Sequence, residues 1–304
     1  MARVLISGGS GLIGQELIKR LQEKGYEVAI LSRSSRPGST TQSYSWDIDH
    51  NDIDREAINN CDFIIHLAGV NIGEKRWTTR RKRAILHSRI KSADLIFSNI
   101  DRQNKKLKAF ITASAVGYYG AFTSEKIFTE TDSSSSDFLG ETCSQWEKAA
   151  DQFTEIGIRT VKIRTGVVLS KKGGALAKLK IPIQLGFGSA IGHGRQYMPW
   201  IHLDDLCDIY IHAIENEEVN GAFNAVAPEH ITNKALSRKI AQALHKPFWF
   251  PNIPAFVMKL FFGEMAVMLL TGSRISSDKI QAAGFQFRFP KLDTALKSLL
   301  TKQY

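Results

Sequence analysis

A cluster of glycines near the start of the chain separates a short apolar run from a segment with helical periodicity. The stretch from Arg3 to Lys24 is RVLISGGSGLIGQELIKRLQEK, in which Gly8, Gly11 and Gly14 recur at every third position. Glycine adopts positive φ angles and lets another backbone approach closely, so it is typical of a sharp turn between a strand and a helix. In this context the spacing predicts a Rossmann fingerprint that binds a dinucleotide.

The tip of the predicted helix would offer unpaired N–H groups and a partial positive charge to the pyrophosphate. Cofactor contacts are therefore predicted along the whole loop, at Gly8, Ser10, Gly11, Leu12, Ile13 and Gly14. A plain glycine-rich turn without a ligand is the alternative.

The end of the second predicted strand, EVAILS, indicates which dinucleotide binds. In NAD-binding proteins of this fold an acidic residue there accepts hydrogen bonds from the ribose hydroxyls. Here the strand ends at Ser32, and Arg33 and Arg36 follow. A guanidinium can hold a 2′-phosphate through two parallel hydrogen bonds. The pattern favours NADP(H) over NAD(H), with a solvated loop residue as the alternative for Arg33.

Apolar strands alternate with helical segments through about the first two hundred residues. The predicted strands SYSW, DFIIHLAG, KAFITAS and TVKIR are separated by helices such as 79–99 and 138–156. Mostly apolar strands joined by helices are typical of a parallel sheet covered on both faces. We predict an α/β protein, a Rossmann-type doubly wound parallel sheet with a smaller, mixed and mostly helical C-terminal substrate lobe.

The alternation breaks after the strand TVKIR, where glycine-rich loops and a long apolar helical region follow. We predict an NADP(H)-binding Rossmann domain over 1–170, whose sheet is completed by segments from 195–230. A smaller substrate-side lobe over 171–304 would be interleaved with it, because no flexible linker separates the two.

Charge and hydrophobicity argue against nucleic acid and a membrane as binding partners. The 304 residues carry a net charge of +10, but lysine and arginine are scattered and the densest run, RRKR, is short. This pattern argues against nucleic acid. The apolar segment 253–270 is interrupted by proline, lysine, glycine and glutamate, so packed helices are favoured over a membrane span.

The three cysteines, Cys61, Cys143 and Cys207, lie far apart without metal-ligand spacing, as in a protein of a reducing compartment. The chain also starts without a charged leader ahead of an apolar region. We therefore predict a cytoplasmic protein with a small-molecule substrate and no nucleic-acid, membrane or metal partner.

Several further motifs give the chain a family resemblance. They are HLAG, RWTTRRKRAILHSR, TASAVGYYG, WEKAA, RTGVVLSKKGGAL, GHGRQYMPWIHLDDL and the tail GEMAVMLLTGSR with AGFQFRFP. With the glycine loop they resemble the extended short-chain dehydrogenase/reductase superfamily, and more closely its atypical branch of epimerase family proteins. The resemblance covers nearly the whole chain and implies nucleotide-sugar epimerase-like chemistry. It also implies a homodimer formed through the two long helices.

The resemblance also implies cofactor contacts at strand ends and on the long helix, at Asp47, Leu67, Ala68, Gly69, Arg89, Thr165, Gly166 and Val167. Residues 67–69 would lie beside the adenosine or its ribose, and 165–167 beside the nicotinamide. A solvated turn is the alternative for Asp47, and a solvated helix face for Arg89.

The glycine loop and PWIHLDDL resemble the substrate-side lip of the family, with Gln196 and Trp200 as substrate contacts. A core position is the alternative for Trp200.

The chain departs from the family at the catalytic centre. Members use a Tyr-x-x-x-Lys pair for proton transfer, in which the lysine and the nicotinamide lower the pKa of the tyrosine. The matching positions here are Leu139 and Cys143. Ser114 matches the serine that holds the substrate oxygen.

Tyr118 and Tyr119 are the remaining candidates for proton transfer, with packing as the alternative for both. Two functions stay open. One is an NADP(H)-dependent oxidoreductase or epimerase that moves a hydride to or from a carbonyl or alcohol carbon of a small polar substrate, such as a sugar nucleotide. The other is a catalytically inactive NADPH-binding regulatory or scaffold protein.

Overall fold

Short parallel strands build the centre of the protein. The computed structural model describes residues 1–33, 41–101 and 106–301. Its strands are β1 (Arg3–Ser7), β2 (Glu27–Ser32), β3 (Gln42–Asp47), β4 (Asp52–Ile53), β5 (Phe63–His66), β6 (Ala109–Ala115), β7 (Ile127–Phe128), β8 (Arg159–Thr165), β9 (Val167–Leu169), β10 (Trp200–His202), β11 (Gly221–Ala225) and β12 (Arg274–Ile275).

Helices connect most of these strands. They are α1 (Leu12–Glu23), α2 (Arg55–Asn59), α3 (Thr79–Ser98), α4 (Phe138–Glu155), α5 (Gly174–Gln184), α6 (Leu203–Glu215), α7 (Asn233–Ala243), α8 (Ala255–Phe262), α9 (Val267–Leu270), α10 (Asp278–Ala282) and α11 (Leu292–Leu300). Two 3₁₀ helices span Val116–Tyr119 and Gly263–Ala266.

Eight strands form one sheet in the order β11-β8-β6-β5-β1-β2-β3-β4. Its neighbours pair in parallel, except for the antiparallel pair β3–β4. The strand order reverses direction between β1 and β5, which is where doubly wound sheets bind ligands at the carboxyl ends of their strands. The predicted Rossmann-type fold is confirmed.

Each face of the sheet is covered by helices. Val4 and Ile6 of β1 pack with the buried faces of α1 and α6, and Leu5 between them packs with α3 and α4. Successive strand side chains point to opposite faces, so a strand covered on both sides must be apolar throughout. Burying each such side chain stabilises the folded state by about 1.5–3 kcal/mol.

A second core holds the later part of the chain together. It joins β9 and β10 to α5, α7 and α11 around the buried side chains of Leu169, Trp200, Leu236, Ile240 and Leu296. The predicted helical C-terminal region is confirmed. β11, from within 195–230, supplies the outer strand of the main sheet. The domain division at residue 170 stays a prediction.

Several contacts hold the C-terminal region against the Rossmann part, and two of them involve strand pairing and a buried carboxylate. β12 pairs in parallel with β7. The Asp205 carboxylate of α6 accepts the backbone N–H groups of Arg288 at 2.8 Å and Phe289 at 3.0 Å. The motif predicted to form a substrate-side lip therefore anchors the chain around residue 288.

The apolar segment 253–270 folds into α8, a 3₁₀ helix and α9. Within the described ranges, every helix is too short or too polar to cross a bilayer. In the same ranges, no three potential metal ligands cluster together.

Candidate functional site

The glycine loop joins β1 to α1 and makes two close backbone contacts. Gly8 has a φ of +75°, and a Cβ there would lie 2.8 Å from the carbonyl carbon of Leu67. A Cβ at Gly14 would lie 2.6 Å from the Gly8 oxygen. Internal packing therefore requires glycine at both positions.

Gly11 differs from its two neighbours in the motif. A Cβ there would meet only the Gly8 oxygen, at an ordinary contact distance of 3.4 Å. Its φ of −75° and ψ of 171° suit any residue. Neither packing nor backbone geometry requires glycine at this exposed position, so the contacts within the folded chain do not explain it. A ligand that approaches the backbone closely would explain it.

The start of α1 lacks a capping side chain, because the residue before Leu12 is Gly11. The first N–H groups of a helix have no partner within the helix. The N–H groups of Leu12, Ile13 and Gly14 therefore form a donor cluster next to exposed Ser10. This arrangement fits a phosphate group.

The segment after β5 lies against this loop. The N–H of Leu67 donates to the Ser7 carbonyl at 3.0 Å, and the N–H of Ala68 lies 3.4 Å from Ser7 Oγ. The structure thus brings the predicted contacts Leu67 and Ala68 together with Gly8.

A buried histidine, which the sequence interpretation did not single out, fixes this arrangement. His66 Nδ1 lies 2.7 Å from Ser7 Oγ, and Nε2 lies 3.0 Å from Ser92 Oγ. Ser92 donates to the carbonyl of Arg89, so its oxygen accepts from Nε2–H and Ser7 donates to Nδ1. Burial lowers the pKa of His66 to about 4, which keeps the ring neutral. The ring ties α3 to the glycine loop.

Arg89 points inward, so the solvated helix face considered for it is wrong. Its Nη1 donates to the carbonyls of Val70 at 3.1 Å and Ile85 at 2.8 Å. Its guanidinium carbon lies 4.8 Å from the centre of the Trp146 ring. Burial lowers its pKa, since burial disfavours the charged form.

The residues predicted to select the cofactor lie past the end of β2. Ser32 is half-buried and Arg33 is exposed immediately after it. Arg36 lies outside the described residues. The position of Arg33 at the carboxyl edge of the sheet suits a 2′-phosphate, and its contact with one stays a prediction.

Asp47 closes the turn after β3. Its Oδ1 accepts the N–H groups of Asp49 at 2.9 Å and His50 at 3.2 Å, and its Oδ2 lies 2.8 Å from His50 Nδ1. The hydrogen bond from the His50 side chain lowers the pKa of Asp47. The solvated turn is thus observed, and an adenine contact by Asp47 stays a prediction.

The backbone N–H groups of the loop after β8 form hydrogen bonds within the protein. The N–H of Gly166 donates to the Ala225 carbonyl at 3.1 Å, and that of Val167 to the Pro199 carbonyl at 2.7 Å. A Cβ at Gly166 would lie 2.4 Å from the same Pro199 oxygen, so packing explains this glycine. Both N–H groups are engaged, and the nicotinamide contact of residues 165–167, Thr165 included, stays a prediction.

Ser114 belongs to a buried polar cluster. Its hydroxyl donates to Glu147 Oε1 at 2.7 Å, and Ser114 itself is only 3% exposed. Arg164 holds the same carboxylate with two hydrogen bonds, Nε to Oε1 at 2.8 Å and Nη2 to Oε2 at 2.9 Å. The Ser114 hydroxyl is therefore engaged inside the protein, and a role in holding a substrate oxygen requires it to leave Glu147.

Tyr119 belongs to the same cluster. Its hydroxyl donates to Asn224 Oδ1 at 2.7 Å and accepts from Arg164 Nη1 at 2.9 Å. Burial raises the pKa of Tyr119 to about 12, so this phenol stays protonated near neutral pH. These contacts support the packing alternative for Tyr119.

Tyr118 differs from the other two catalytic candidates, Ser114 and Tyr119, in the contacts of its hydroxyl group. Its ring lies beneath the Arg164 guanidinium, 3.5 Å from ring centre to guanidinium carbon. The side chain is half-buried, and its hydroxyl bonds to no residue in the described part of the chain.

The positions of the missing pair lie next to these tyrosines. A Cβ at Gly117 would lie 3.4 Å from Leu139 Cβ and 3.7 Å from Cys143 Sγ. The α4 face that would carry the tyrosine and lysine therefore meets the turn after β6. Burial raises the pKa of Cys143 to about 12, so its thiol is not an activated nucleophile.

Both predicted substrate contacts are corrected by the structure. Trp200 is fully buried, and its Nε1 donates to the Glu229 carbonyl at 3.1 Å. Gln196 is also fully buried, and its Nε2 donates to the carbonyls of Ile191 at 3.0 Å and Leu269 at 2.8 Å. The packing of the C-terminal region over them makes both core residues.

Comparisons with known proteins extend over the whole chain. Residues 4–226 match the NAD dependent epimerase/dehydratase family, and residues 253–299 match a domain of unknown function, DUF1731. An epimerase family protein of Staphylococcus aureus (strain MRSA252), SAR0825, is 34% identical over 307 residues, which cover 99% of this chain and 100% of the relative.

Two solved structures are similar in both fold and sequence. Human epimerase family protein SDR39U1 (isoform2) with NADPH has a TM-score of 0.86 and 33% identity, over 98% of this chain and 99% of that chain. A nucleoside-diphosphate sugar epimerase from Corynebacterium glutamicum has a TM-score of 0.80 and 30% identity, over 98% of this chain and 58% of that chain. With its glycine loop, doubly wound sheet and matching C-terminal region, this chain belongs to the NAD dependent epimerase/dehydratase family, among the epimerase family proteins.

Proposed function

We propose that this chain binds NADP(H) and moves a hydride between the cofactor and a carbonyl or alcohol carbon of a small polar substrate, such as a sugar nucleotide. The observation that carries the proposal is Gly11, a glycine that the folded chain does not itself require, beside the uncapped tip of α1. The solved structure of human epimerase family protein SDR39U1, which matches over 98% of this chain and 99% of that chain, contains NADPH.

The residues at the carboxyl edge of the sheet fit the parts of this cofactor. The N–H groups at the tip of α1 suit the pyrophosphate. The backbone of Leu67 to Gly69, in contact with the glycine loop, would lie beside a ribose. Arg33 would pair with the 2′-phosphate, with no acidic residue at the end of β2 to repel it. NADPH supplies the hydride when it is bound.

The protein must then supply a proton to the substrate oxygen. Leu139 and Cys143 cannot do this at the usual position, and the Tyr119 hydroxyl is engaged with Arg164 and Asn224. Tyr118 is the candidate donor that we assign, because its hydroxyl has no competing hydrogen bond in the part of the chain that the structure describes. Arg164, stacked on its ring, would stabilise a phenolate that forms there.

A panel of carbonyl compounds and sugar nucleotides, followed by NADPH absorbance, tests this proposal. Tyr118→Phe is expected to lower turnover by about 10²–10⁴-fold, since general acid catalysis contributes that much. Its affinity for NADPH should stay at the wild-type value. Tyr119→Phe is the matched control, and the folded fraction of that variant should keep its turnover.

The second candidate function is an inactive NADPH-binding regulatory protein. The observation that favours it is the engagement of Ser114 and Tyr119 in the buried cluster around Glu147. Tight NADPH binding without turnover on any member of the panel would support this function. Full activity of Tyr118→Phe would instead contradict the assigned proton donor.

The preference for NADP(H) can be tested at the exposed residue after β2. Arg33→Asp should weaken NADPH binding by roughly tenfold or more, since it removes a charge-assisted contact and adds a repulsive one. NADH binding should be kept or improved. Titration calorimetry with both cofactors measures this, and Arg83→Asp on α3, also exposed, controls for a change in surface charge. Equal wild-type affinities for the two cofactors would contradict the preference.

A further inference from the structure

Exposed apolar side chains are concentrated in two segments of the C-terminal region. In the described part of the chain, all of the large exposed ones except Met1, Phe122 and Ile127 lie in 181–187 and 249–261. The most exposed residues of these two segments are each at least 67% exposed, and they are Leu185, Trp249, Phe256, Leu260 and Phe261. Folded proteins rarely leave such clusters in water, and the clusters that occur mark interaction sites.

Direct contacts join the two segments. The ring centres of Phe187 and Phe250 are 5.6 Å apart, and the Trp249 ring lies at the same distance from Phe250. The N–H of Phe250 also donates to the Gly188 carbonyl at 3.2 Å. The two segments therefore form one continuous feature, which we call the apolar surface.

Helix α8 has apolar side chains on both its buried and its exposed side. Met258 is buried in a cluster with Ile191 and Ala266. Phe256 and Leu260 lie two positions to either side of Met258, which places them on the opposite face of the helix. A helix that is apolar all round is normally buried. The outer side of α8 therefore lacks a partner within the described part of the chain.

The net positive charge of the protein lies in the same part of the chain. Segments 171–203 and 230–263 contain ten lysines and arginines and no aspartate or glutamate, whereas the remaining residues contain thirty basic and thirty acidic side chains. Lys246 and Lys259 are exposed near the aromatic residues. Glu264, just after α8, pairs with a lysine of α3. The apolar surface therefore carries an excess of positive charge.

We propose that the apolar surface binds an anionic phospholipid bilayer and lies among its headgroups without crossing it. The side chains of Phe256 and Leu260 would enter the boundary between headgroups and acyl chains. Trp249 suits the headgroup level, where an indole meets both water and hydrocarbon. Lys246 and Lys259 would extend along the apolar surface and pair with lipid phosphates.

The residue types favour a bilayer over two other partners. In a symmetric dimer the same surface of each copy would meet, so the lysines of one copy would face those of the other. Single-stranded nucleic acid stacks on aromatic rings, which would leave the aliphatic side chains of Ile181, Leu185 and Leu260 without a partner. A bilayer accommodates the aromatic, the aliphatic and the basic side chains together.

Such binding differs from the membrane partner that the sequence patterns argue against. That expectation rests on the interruptions in 253–270, which prevent this segment from spanning a bilayer. A surface among the headgroups needs only short helices with apolar side chains turned outward, as in α8. We therefore replace the expectation of no membrane partner with binding at this surface.

Sedimentation of the full chain with lipid vesicles tests the proposal. The protein should bind vesicles of phosphatidylcholine and phosphatidylglycerol at least about tenfold more strongly than vesicles of phosphatidylcholine alone. Phe256→Ser/Leu260→Ser should lower binding to the anionic vesicles at least about tenfold, since two apolar side chains no longer enter the bilayer. Phe122→Ser/Ile127→Ser, which changes two exposed apolar residues elsewhere, is the matched control and should bind like wild type.

The basic residues are tested by charge reversal. Lys246→Glu/Lys259→Glu should lower binding to the anionic vesicles at least about tenfold. Lys19→Glu/Lys91→Glu makes the same change of net charge at exposed positions of α1 and α3, and binding should stay within about twofold of wild type. Thermal melting checks the fold of every variant. If the α8 variant does not fold, Ile181→Ser/Leu185→Ser tests the same surface from its other segment.

Trp249 provides a direct spectroscopic signal. The other four tryptophans, Trp46, Trp77, Trp146 and Trp200, are buried, so vesicles should change the emission of Trp249 alone. Its emission should move to shorter wavelength with anionic vesicles, and brominated acyl chains should quench it. Trp249→Phe should lose both signals while the protein still sediments with the vesicles.

Equal binding to both kinds of vesicle would overturn the proposal, as would unchanged binding of folded Phe256→Ser/Leu260→Ser or an unchanged Trp249 emission. A concentration-dependent dimer that this double variant converts to a monomer would assign the apolar surface to a second copy instead. Binding of single-stranded DNA that is lost in the same variant would assign it to nucleic acid. None of these measurements involves NADPH, so their outcome is independent of the proposed function.

Discussion

Gly11→Val is expected to weaken NADPH binding by at least about a hundredfold while the protein stays folded. The φ and ψ of this position, −75° and 171°, are available to valine, and the nearest protein atom to its Cβ is 3.4 Å away. The branched side chain would occupy the space over the N–H groups at the tip of α1, where the pyrophosphate must approach. Titration calorimetry measures the loss, and circular dichroism with thermal melting measures the fold.

Two other glycines make this experiment specific. Gly14→Val should unfold the protein, because a Cβ there would lie 2.6 Å from both the Gly8 oxygen and the Gly9 Cα. Gly73→Val should leave both fold and affinity unchanged, since the nearest atom to its Cβ is 3.8 Å away. A folded Gly11→Val protein with wild-type affinity would contradict the phosphate-binding loop.

Arg164→Met is expected to destabilise the protein by about 3–5 kcal/mol, because it leaves a buried carboxylate without its cation. The side chains of Arg164 and Glu147 are only 4% and 6% exposed. Among the described residues, only the Ser114 hydroxyl would still donate a hydrogen bond to that carboxylate, and it carries no charge. Urea denaturation of the variant and the wild type, fitted for the free energy of unfolding, measures the difference.

The buried ion pair of Glu147 and Arg164 can also be replaced by two apolar residues. Glu147→Leu/Arg164→Met should recover most of the lost stability, since no unpaired charge remains and the volumes are similar. Lys162→Met is the matched control on the same strand: its partner Asp151 is 50% exposed, and such pairs contribute about 0–1 kcal/mol. A double variant less stable than Arg164→Met would show that the cluster stabilises the fold beyond charge compensation.

Local patterns were enough to predict the elements that form the cofactor side. The strands EVAILS and TVKIR and the helix beginning at Phe138 lie within a residue of their predicted bounds. Their hydrophobic periodicity and turn residues are set by neighbours in the chain. The glycine loop was predictable for the same reason, because strand, turn and helix follow one another directly.

Contacts between distant residues were not predictable in this way. Ser114 could be assigned to a strand end, but its partner Glu147 is 33 residues away and Arg164 lies on another strand. Trp200 sits in a motif that resembles a substrate lip, yet its burial depends on α7 and α11, which follow it in the chain. For Arg89, helical position alone could not show that Trp146 of α4 covers its guanidinium.

The pairing of β12 with β7 has a consequence for how the protein is made. Residues on these two strands meet across a large sequence separation, 147 positions for Arg274 and its partner Ile127. Domains tend to fold as the chain leaves the ribosome, from the N-terminal end onward. Here β7 stays unpaired until its partner β12 has been synthesised, when nearly the whole polypeptide has been translated. We expect this delay to make the nascent chain most vulnerable to aggregation, and most dependent on chaperones, late in its synthesis.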